Sequence, residues 1–432
     1  MTSVRARRAS LRLFSFGRNA IVLWVLFALV HGWLGVLNLV GPGQPFGDVE
    51  IVYRFWVERG LTDGQWVGID TSWVYPLLAL VPMLAAFVAG PDLYGAAWLS
   101  MVTALHAGAF LALIGVHARV PAARAAIAAG WMLFLMLLGP IALGRLDAVT
   151  VAIALVGVVL ALDHPRWAGA LLAIGAWVKV WPAALLLAAL VALRHRVRVF
   201  VAAVTVCAVV IVVGLSLGAG GALFSAVTEQ SARGLQVESP VAIPWLWAAT
   251  ANPLAAWVYY DTSILTFQVV GDGSAVAAQL TTPILALVVL AILALGAVAV
   301  ARGNDQAALF PVLSLALVMA LITVNKVGSP QFVSWIAVPV LLGLVLRARG
   351  GVSFLVPAIL ALAIAGLTQL IYPVFYDRLL ALEPALVLVL TMRNVLYLVL
   401  LGWAVQQIAA LCWRPVVALR REPASDDEGV VA

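Results

Sequence analysis

The sequence contains little charge, few cysteines and almost no lysine. Only 10% of its 432 residues are charged, 65% are hydrophobic, and the mean hydropathy is +1.11. A water-soluble core cannot enclose so many apolar side chains, so this composition excludes a soluble globular protein and indicates a polytopic membrane protein. The apolar runs are continuous instead of alternating, which predicts an all-α fold and not a β-barrel.

Cysteine and basic residues restrict the kind of site further. Cys207 and Cys412 both lie in apolar runs, so we expect neither a disulfide framework nor a metal cluster. The formal net charge of +6 comes from arginines between apolar runs, as in the cytoplasmic loops of membrane proteins. We therefore expect membrane lipids as neighbours and no nucleic acid partner.

Arginine placement predicts a topology. An arginine-rich N-terminus precedes the first apolar run, which predicts a retained helix with a cytoplasmic N-terminus in a plasma membrane. The segment 75–89 is short and contains two prolines, so we expect it to dip into the outer leaflet without crossing. About twelve crossings follow, with both termini cytoplasmic. They are residues 20–40, 94–116, 126–143, 149–162, 167–178, 182–193, 199–217, 281–301, 306–324, 331–346, 352–371 and 386–411.

The same reasoning divides the chain into three parts. Residues 1–19 form a basic cytoplasmic N-terminus, and residues 412–432 form a polar cytoplasmic tail. Between them, residues 20–411 form a single transmembrane domain, whose two long outer loops span about 41–93 and 218–280.

The two lysines are unusually placed. Lys179, in AWVKVWP, and Lys326, in TVNKVGSPQFVSW, lie in polar breaks at predicted outer helix ends. One interpretation is a snorkelling side chain that reaches the lipid headgroups. Because both lie on the face that also carries the acidic first loop, the alternative is that they bind an anionic ligand such as a lipid phosphate.

Further charges lie near apolar runs at the same predicted surface. Arg145 and Asp147, in LGRLDAV, either hold a turn as a local ion pair or contact a substrate, with Arg145 on phosphate or sugar and Asp147 on a hydroxyl. Arg233 and Glu238 belong to SARGLQVESP in the second long outer loop. Arg393 is predicted inside a crossing, where it snorkels or faces a cavity.

The first outer loop contains PFGDVEIVYRFW. Asp48 follows Gly47 and is a good helix N-cap. Glu50 has Arg54 four residues later, and such a spacing predicts an ion pair on a helix surface. Asp48 has no equivalent partner, so it is the carboxylate that we expect to remain available for proton transfer.

An outer-surface carboxylate near several cations suits sugar transfer from a polyprenyl-phosphate carrier. The carboxylate acts as general base on an acceptor hydroxyl, which attacks the anomeric carbon with inversion. Cations stabilise the departing lipid phosphate. Because that leaving group is a monophosphate, basic side chains can neutralise it, and we expect no metal or other cofactor.

These motifs, together with WVYP and RGLQVES, resemble those of the class C membrane glycosyltransferases. Within that class the chain is most similar to family 87, actinobacterial multi-pass enzymes that use polyprenyl-phosphate mannose or, in some members, a polyprenyl-phosphate pentose. The resemblance implies an extracytoplasmic first-loop active site, with Asp48 as the catalytic carboxylate. It implies a lipid-linked or cell-envelope glycan as acceptor.

The resemblance also implies roles for matching residues. Lys179 matches the Lys-x-x-Pro break of the family, and Lys326 and Gln331 match its Lys-x-x-Ser-Pro-Gln stretch. Tyr75 begins the helix at the outer rim of the site. The predicted substrate-binding and lipid-phosphate-binding residues are therefore Lys179, Lys326, Arg145, Asp147, Arg233, Gln331 and Tyr75.

Three other functions remain open at this point. A pentose (arabinofuranosyl) transferase would use the same chemistry on another sugar. A lipid or solute transporter would use intramembrane charges as a translocation path. An enzyme that joins prebuilt glycan chains would carry its essential residues in a late outer loop and would not depend on Asp48.

Overall fold

The structure is a computed structural model that describes residues 18–231, 233–262 and 264–413. Most of the predicted basic N-terminus and nearly all of the predicted tail lie outside these residues. Within them, the chain folds into helices joined by turns, with one β-hairpin.

The α-helices follow one another along almost the whole described chain. They are α1 Ala20–Val40, α2 Arg54–Asp63, α3 Leu80–Phe87, α4 Tyr94–Ile114, α5 Ala122–Leu138, α6 Leu146–Leu160, α7 Pro165–Val178, α8 Pro182–Ala192, α9 Arg196–Ser216, α10 Ser225–Ser231, α11 Ile243–Ala251, α12 Ser274–Ala301, α13 Gln306–Thr323, α14 Val333–Leu346, α15 Leu355–Gln369, α16 Tyr376–Leu380 and α17 Pro384–Trp413. Two π-helical segments, Asp48–Tyr53 and Leu370–Val374, and several 3₁₀ turns adjoin them.

Eight helical segments of the described chain are long and apolar enough to cross a membrane, which makes the chain a mostly helical, multi-pass membrane protein. They are Ala20–Val40, Pro91–Ile114, Arg196–Ser216, Ser274–Ala301, Gln306–Thr323, Pro330–Arg349, Leu355–Val374 and Pro384–Trp413. Four other predicted crossings correspond to shorter helices, α5 to α8, of 17, 15, 14 and 11 residues. A straight crossing needs about 20 residues.

Segment 75–89, which we predict to enter the membrane without crossing it, contains only a short helical segment in the structure. A 3₁₀ turn over Leu77–Ala79 leads into α3, which has only eight residues. At 1.5 Å per residue, α3 extends for about 12 Å. That length is well below the thickness of the hydrocarbon core, about 30 Å.

Two helices form the centre of the bundle. α13 and α14 are apolar on all sides, and most of their residues are buried inside the protein. A helix without a polar face is typical of such a central position. The remaining long helices expose apolar side chains on their outer surface, among them Leu29, Val212 and Leu287.

Side-chain contacts bring the loops together at two opposite ends of the bundle. At one end, Asp163 in the loop after α6 pairs with Arg349, just after α14. At the same end, Arg194 in the loop after α8 pairs with Asp305 in the loop before α13. The first loop, the start of α6 and the end of α7 meet at the other end, which also carries Asp48.

A β-hairpin departs from the all-α prediction. Strands β1, Ala256–Asp261, and β2, Thr266–Gly271, pair antiparallel within the second long loop. Their sequences, AWVYYD and TFQVVG, are rich in aromatic and β-branched residues, which favour strands. This composition is the signal that could have predicted the hairpin.

Candidate functional site

The first loop presents Asp48 from a π-helical turn. The backbone of Gly47 is already helical, and the structure shows no side-chain cap at this helix start. The prediction that Asp48 caps the helix is therefore wrong. Oδ2 of Asp48 instead lies 2.9 Å from Nε of Arg145, the residue immediately before α6. The Asp48 side chain remains 39% exposed, so it is accessible to a ligand.

Arg145 connects three segments that are distant in sequence. Its Nη1 donates to the carbonyl oxygens of Pro45 at 2.6 Å and Gly144 at 2.7 Å. Its Nη2 donates to the hydroxyl of Tyr372 at 3.1 Å. The contact with Asp48 is ionic, because the Nε–H group lacks a well-aligned acceptor. The guanidinium is only 7% exposed, and these partners together compensate its burial.

Close packing at Gly144 makes this arrangement possible. A Cβ atom at this position would lie 2.5 Å from Oδ1 of Asn38 and 3.3 Å from the carbonyl oxygen of Pro45. Asn38, near the end of α1, also donates to the carbonyl of Pro140 at 2.9 Å. The absence of a side chain at Gly144 therefore lets the first loop and the start of α6 approach closely.

Asp147 forms a second ion pair, which excludes a local pair with Arg145. Its Oδ2 accepts from Nζ of Lys179 at 2.6 Å, and its Oδ1 accepts from Nε1 of Trp335 at 2.6 Å. Asp147 is 1% exposed. The carboxylate is thus enclosed and has strong donors on both oxygens, so it is poorly placed to orient a substrate hydroxyl.

Lys179 lies in the helix break that the sequence predicts. α7 ends at Val178, Lys179 has an extended backbone, and Pro182 begins α8. Three aromatic rings surround its ammonium group at 5.4–5.9 Å, those of Tyr75, Phe332 and Trp335. Each ring face attracts the cation, which adds to the ion pair with Asp147.

Tyr75 lies between these ion pairs and the second long loop. Its ring is 6.4 Å from that of Tyr53, whose hydroxyl faces the backbone nitrogen of Leu146. Burial raises the pKa of Tyr75, and Lys179 opposes this rise. Arg233 is close enough to Tyr75 to interact with it electrostatically. The predicted residues Asp48, Arg145, Asp147, Lys179 and Tyr75 thus form one group, with Arg233 beside it.

Arg233 differs from the other cations of this group. Among the described residues it has no carboxylate within ion-pair distance, and its Nε is buried without a hydrogen-bond partner. Burial lowers its pKa, and Tyr75, Glu229 and Asp261 oppose this decrease. Arg145 and Lys179 are each neutralised by a carboxylate, whereas Arg233 retains the capacity to bind an anion.

The structure places Lys326 and Gln331 in the polar segment after α13. The Lys326 side chain is buried, and its carbonyl oxygen accepts from the backbone nitrogen of Gln236 at 2.9 Å. Burial lowers the pKa of Lys326. Gln331 belongs to the 3₁₀ turn Pro330–Phe332, which packs against the turn Pro140–Ala142. Its neighbour Phe332 contacts Lys179, but no described contact joins Gln331 itself to the ion pairs.

A buried ion pair anchors the second long loop. Nη1 of Arg393, in α17, lies 2.6 Å from Oε2 of Glu238, and Nη2 donates to the Glu238 carbonyl at 2.9 Å. Both side chains are at most 2% exposed. Arg393 therefore neither snorkels nor faces an open cavity. Its contact with Glu238 holds the chain that follows Arg233 against the bundle.

Glu50 does not form its predicted pair. Arg54 instead binds Glu58 at 2.6 Å, and Glu50 is exposed beside Gly95, where a Cβ atom would lie 2.7 Å from its Oε1. Sequence reasoning also missed Tyr372 and Trp335. Tyr372 lies before a proline between two apolar runs, the same kind of break that identified Lys179. Nothing near Trp335 in the sequence distinguishes it from an interfacial tryptophan.

Comparison with known proteins gives no match: no protein-family model, curated protein or solved structure is significantly similar to the chain. Within the described residues, no group of three or more His, Cys, Asp or Glu side chains could hold a metal ion. The function is therefore inferred from the contacts within the site.

The Lys179–Asp147 pair predicts a stability effect. Lys179→Met should lower the free energy of unfolding in mild detergent by about 3–5 kcal/mol, because it leaves the Asp147 carboxylate buried without its cation. The double variant Lys179→Met/Asp147→Leu should recover most of this loss. Arg59→Met, at an arginine that binds Gln65 nearby, serves as the control. Unchanged stability of Lys179→Met would contradict the structural role.

Proposed function

We propose that the chain is an inverting glycosyltransferase that moves a sugar from a polyprenyl-phosphate carrier to a hydroxyl of a lipid-linked or cell-envelope glycan. The observation that carries the proposal is the Asp48–Arg145 contact. It holds a partly exposed carboxylate in place near Tyr75, which in turn lies near Arg233, at one end of a membrane-embedded bundle. Such a group combines a base with a cation that can bind phosphate.

In this mechanism, Asp48 accepts the proton of the acceptor hydroxyl as that oxygen attacks the anomeric carbon. The bond between the anomeric carbon and the phosphate oxygen breaks, and the lipid phosphate leaves with the bonding electrons. Attack opposite the leaving group inverts the anomeric configuration. Arg145 does not take part in this transfer but fixes the position of the Asp48 side chain.

Arg233 is the residue that we assign to the lipid phosphate. Charge that develops on the leaving oxygen is stabilised best by a cation that is already positioned and not neutralised by protein groups. Arg233 has no carboxylate within ion-pair distance among the described residues, and Glu229 and Asp261 act on it only from further away. The buried Glu238–Arg393 pair limits the movement of its loop. Lys179 has a structural role in this scheme, and no step involves a metal.

The resemblance to family 87 favours mannose as the sugar, with a pentose as the alternative. We further propose that the fold is that of the class C glycosyltransferases and that all four shorter helices, α5 to α8, cross a thinned membrane region. The chain then crosses a plasma membrane twelve times, with Asp48 outside and both termini in the cytoplasm. The arginine-rich loops at the end opposite Asp48 support this orientation.

Asp48→Asn tests the base directly. Asparagine keeps an oxygen that can face Arg145 but cannot accept a proton at neutral pH, so the transfer rate should fall by about 100-fold or more. Purified protein is incubated with radiolabelled polyprenyl-phosphate mannose or pentose and a lipid extract. Glu50→Gln, an exposed carboxylate two residues later, should transfer sugar at the wild-type rate. Full activity of Asp48→Asn would disprove the assignment.

The same assay separates the rival functions. Wild-type protein that transfers no sugar but moves a lipid or solute across vesicles would establish the transporter. Transfer of prebuilt glycan chains that survives loss of Asp48 would establish the chain-joining enzyme.

Arg233→Gln tests the phosphate assignment. A hydrogen bond to a charged group contributes about 1.5–3 kcal/mol, so kcat/KM for the lipid donor should fall roughly tenfold or more. Arg59→Gln in the first loop is the matched control and should behave as wild type. If the two variants have equal kcat/KM, Arg233 does not bind the donor.

The orientation predicts which cysteines react from outside. In a variant without Cys207 and Cys412, Asp63→Cys in the first loop should be labelled in intact cells by a membrane-impermeant maleimide. Asp305→Cys, between α12 and α13, should react only after lysis; both native side chains are exposed. The reverse pattern would place Asp48 in the cytoplasm and contradict the proposed topology.

A further inference from the structure

Two adjoining cavities lie at the end of the bundle opposite Asp48. One is an apolar groove of about 250 Å³ between α5, α14 and α15. The other is a cleft of about 680 Å³ at the ends of α5, α6 and α14. Ile127 and Leu344 line both, so the groove and the cleft adjoin. Along α6, Asp147 lies 13 residues before Leu160, which lines the cleft, and this separation spans about 20 Å.

The cleft is positively charged. Arg124, Arg347 and Arg349 line it, together with a single carboxylate, Asp163. Asp163 is already bound at both oxygens by Arg349, at 3.1 and 2.8 Å. Among the described residues, Arg124 and Arg347 have no carboxylate within ion-pair distance. These two guanidinium groups give the cleft an excess positive charge and donors for a phosphate.

The groove is lined only by apolar residues of helices in the hydrophobic bundle. Gly130 contributes to this space, since a Cβ atom built on it would meet nothing within 4 Å. A groove of this kind inside a membrane accommodates a hydrocarbon chain, because lipid chains are the apolar molecules present there. The cleft and groove together match an ionic headgroup joined to an acyl chain.

We propose that this composite cavity is a binding site for an anionic phospholipid. The phosphate lies in the cleft near Arg124 and Arg347, and one acyl chain occupies the groove beside Gly130. Basic pockets between transmembrane helices are typical sites for anionic headgroups. A zwitterionic lipid carries its own cation, so it gains less from the excess positive charge. This site is separate from the proposed sugar transfer.

Native mass spectrometry of the detergent-solubilised full chain tests the proposal. Phosphatidylglycerol and phosphatidylcholine with identical acyl chains are titrated in parallel, and phosphatidylglycerol should bind more tightly. Each arginine near a membrane surface contributes about fivefold in affinity. Arg124→Gln/Arg347→Gln should therefore weaken phosphatidylglycerol binding roughly 25-fold. Arg302→Gln, an exposed arginine after α12 that lines neither cavity, should leave binding unchanged.

A second variant tests the acyl chain. Gly130→Leu adds a side chain whose Cβ atom meets nothing within 4 Å. It should weaken phosphatidylglycerol binding roughly threefold or more, because leucine atoms take the place of the chain. Gly108→Leu, at an exposed glycine of α4 with equally open space, should have no effect. Thermal unfolding verifies that both variants are folded.

Several results would overturn the lipid site. Equal binding of the two lipids would show that the negative charge of the headgroup does not contribute to binding. Displacement of phosphatidylglycerol by millimolar inorganic phosphate, with no effect of Gly130→Leu, would indicate a soluble anion instead. An equal loss in Arg302→Gln would indicate general surface attraction.

Discussion

The contact between Asp48 and Arg145 determines the arrangement of the candidate site. A guanidinium that is 7% exposed is stable only if its charge is compensated, and a single carboxylate does so incompletely. Two backbone carbonyls and the phenol hydroxyl of Tyr372 complete the set of partners. The first loop, the start of α6 and the segment after α15 therefore adopt their positions together. Arg145 thus holds Asp48 in place while it also binds Tyr372, which is 227 positions away in sequence.

The site separates charges that hold the fold from charges that remain available to a ligand. Lys179 and Asp147 neutralise one another within an aromatic enclosure, and Glu238 and Arg393 do so in the second long loop. Lys179 is 13% exposed and the other three side chains are buried, and both pairs bring distant segments together. Arg233 has no such partner among the described residues, and Asp48 is the partly exposed carboxylate. The chemistry that we propose therefore depends on two residues supported by several ion pairs.

Local patterns predicted the helices and the position of the lysines, because apolar runs and prolines act over a few residues. Partners of the charges were not predictable in this way, since Asp48 and Arg145, or Glu238 and Arg393, meet only after the chain folds. The Glu50–Arg54 prediction assumed an α-helix. Residues 48–53 instead form a π-helical turn, and Arg54 pairs with Glu58, which lies four residues after it in α2.

A double-mutant cycle on the transfer rate tests most directly whether Arg145 acts through Asp48. Wild type, Asp48→Asn, Arg145→Lys and the double variant are compared with the same lipid-linked sugar donor. Lysine keeps the charge but not the geometry of the guanidinium. If Arg145 only positions the base, its replacement should slow the wild-type enzyme and have little further effect once Asp48 is asparagine. Equal slowing by Arg145→Lys in both backgrounds would contradict this account.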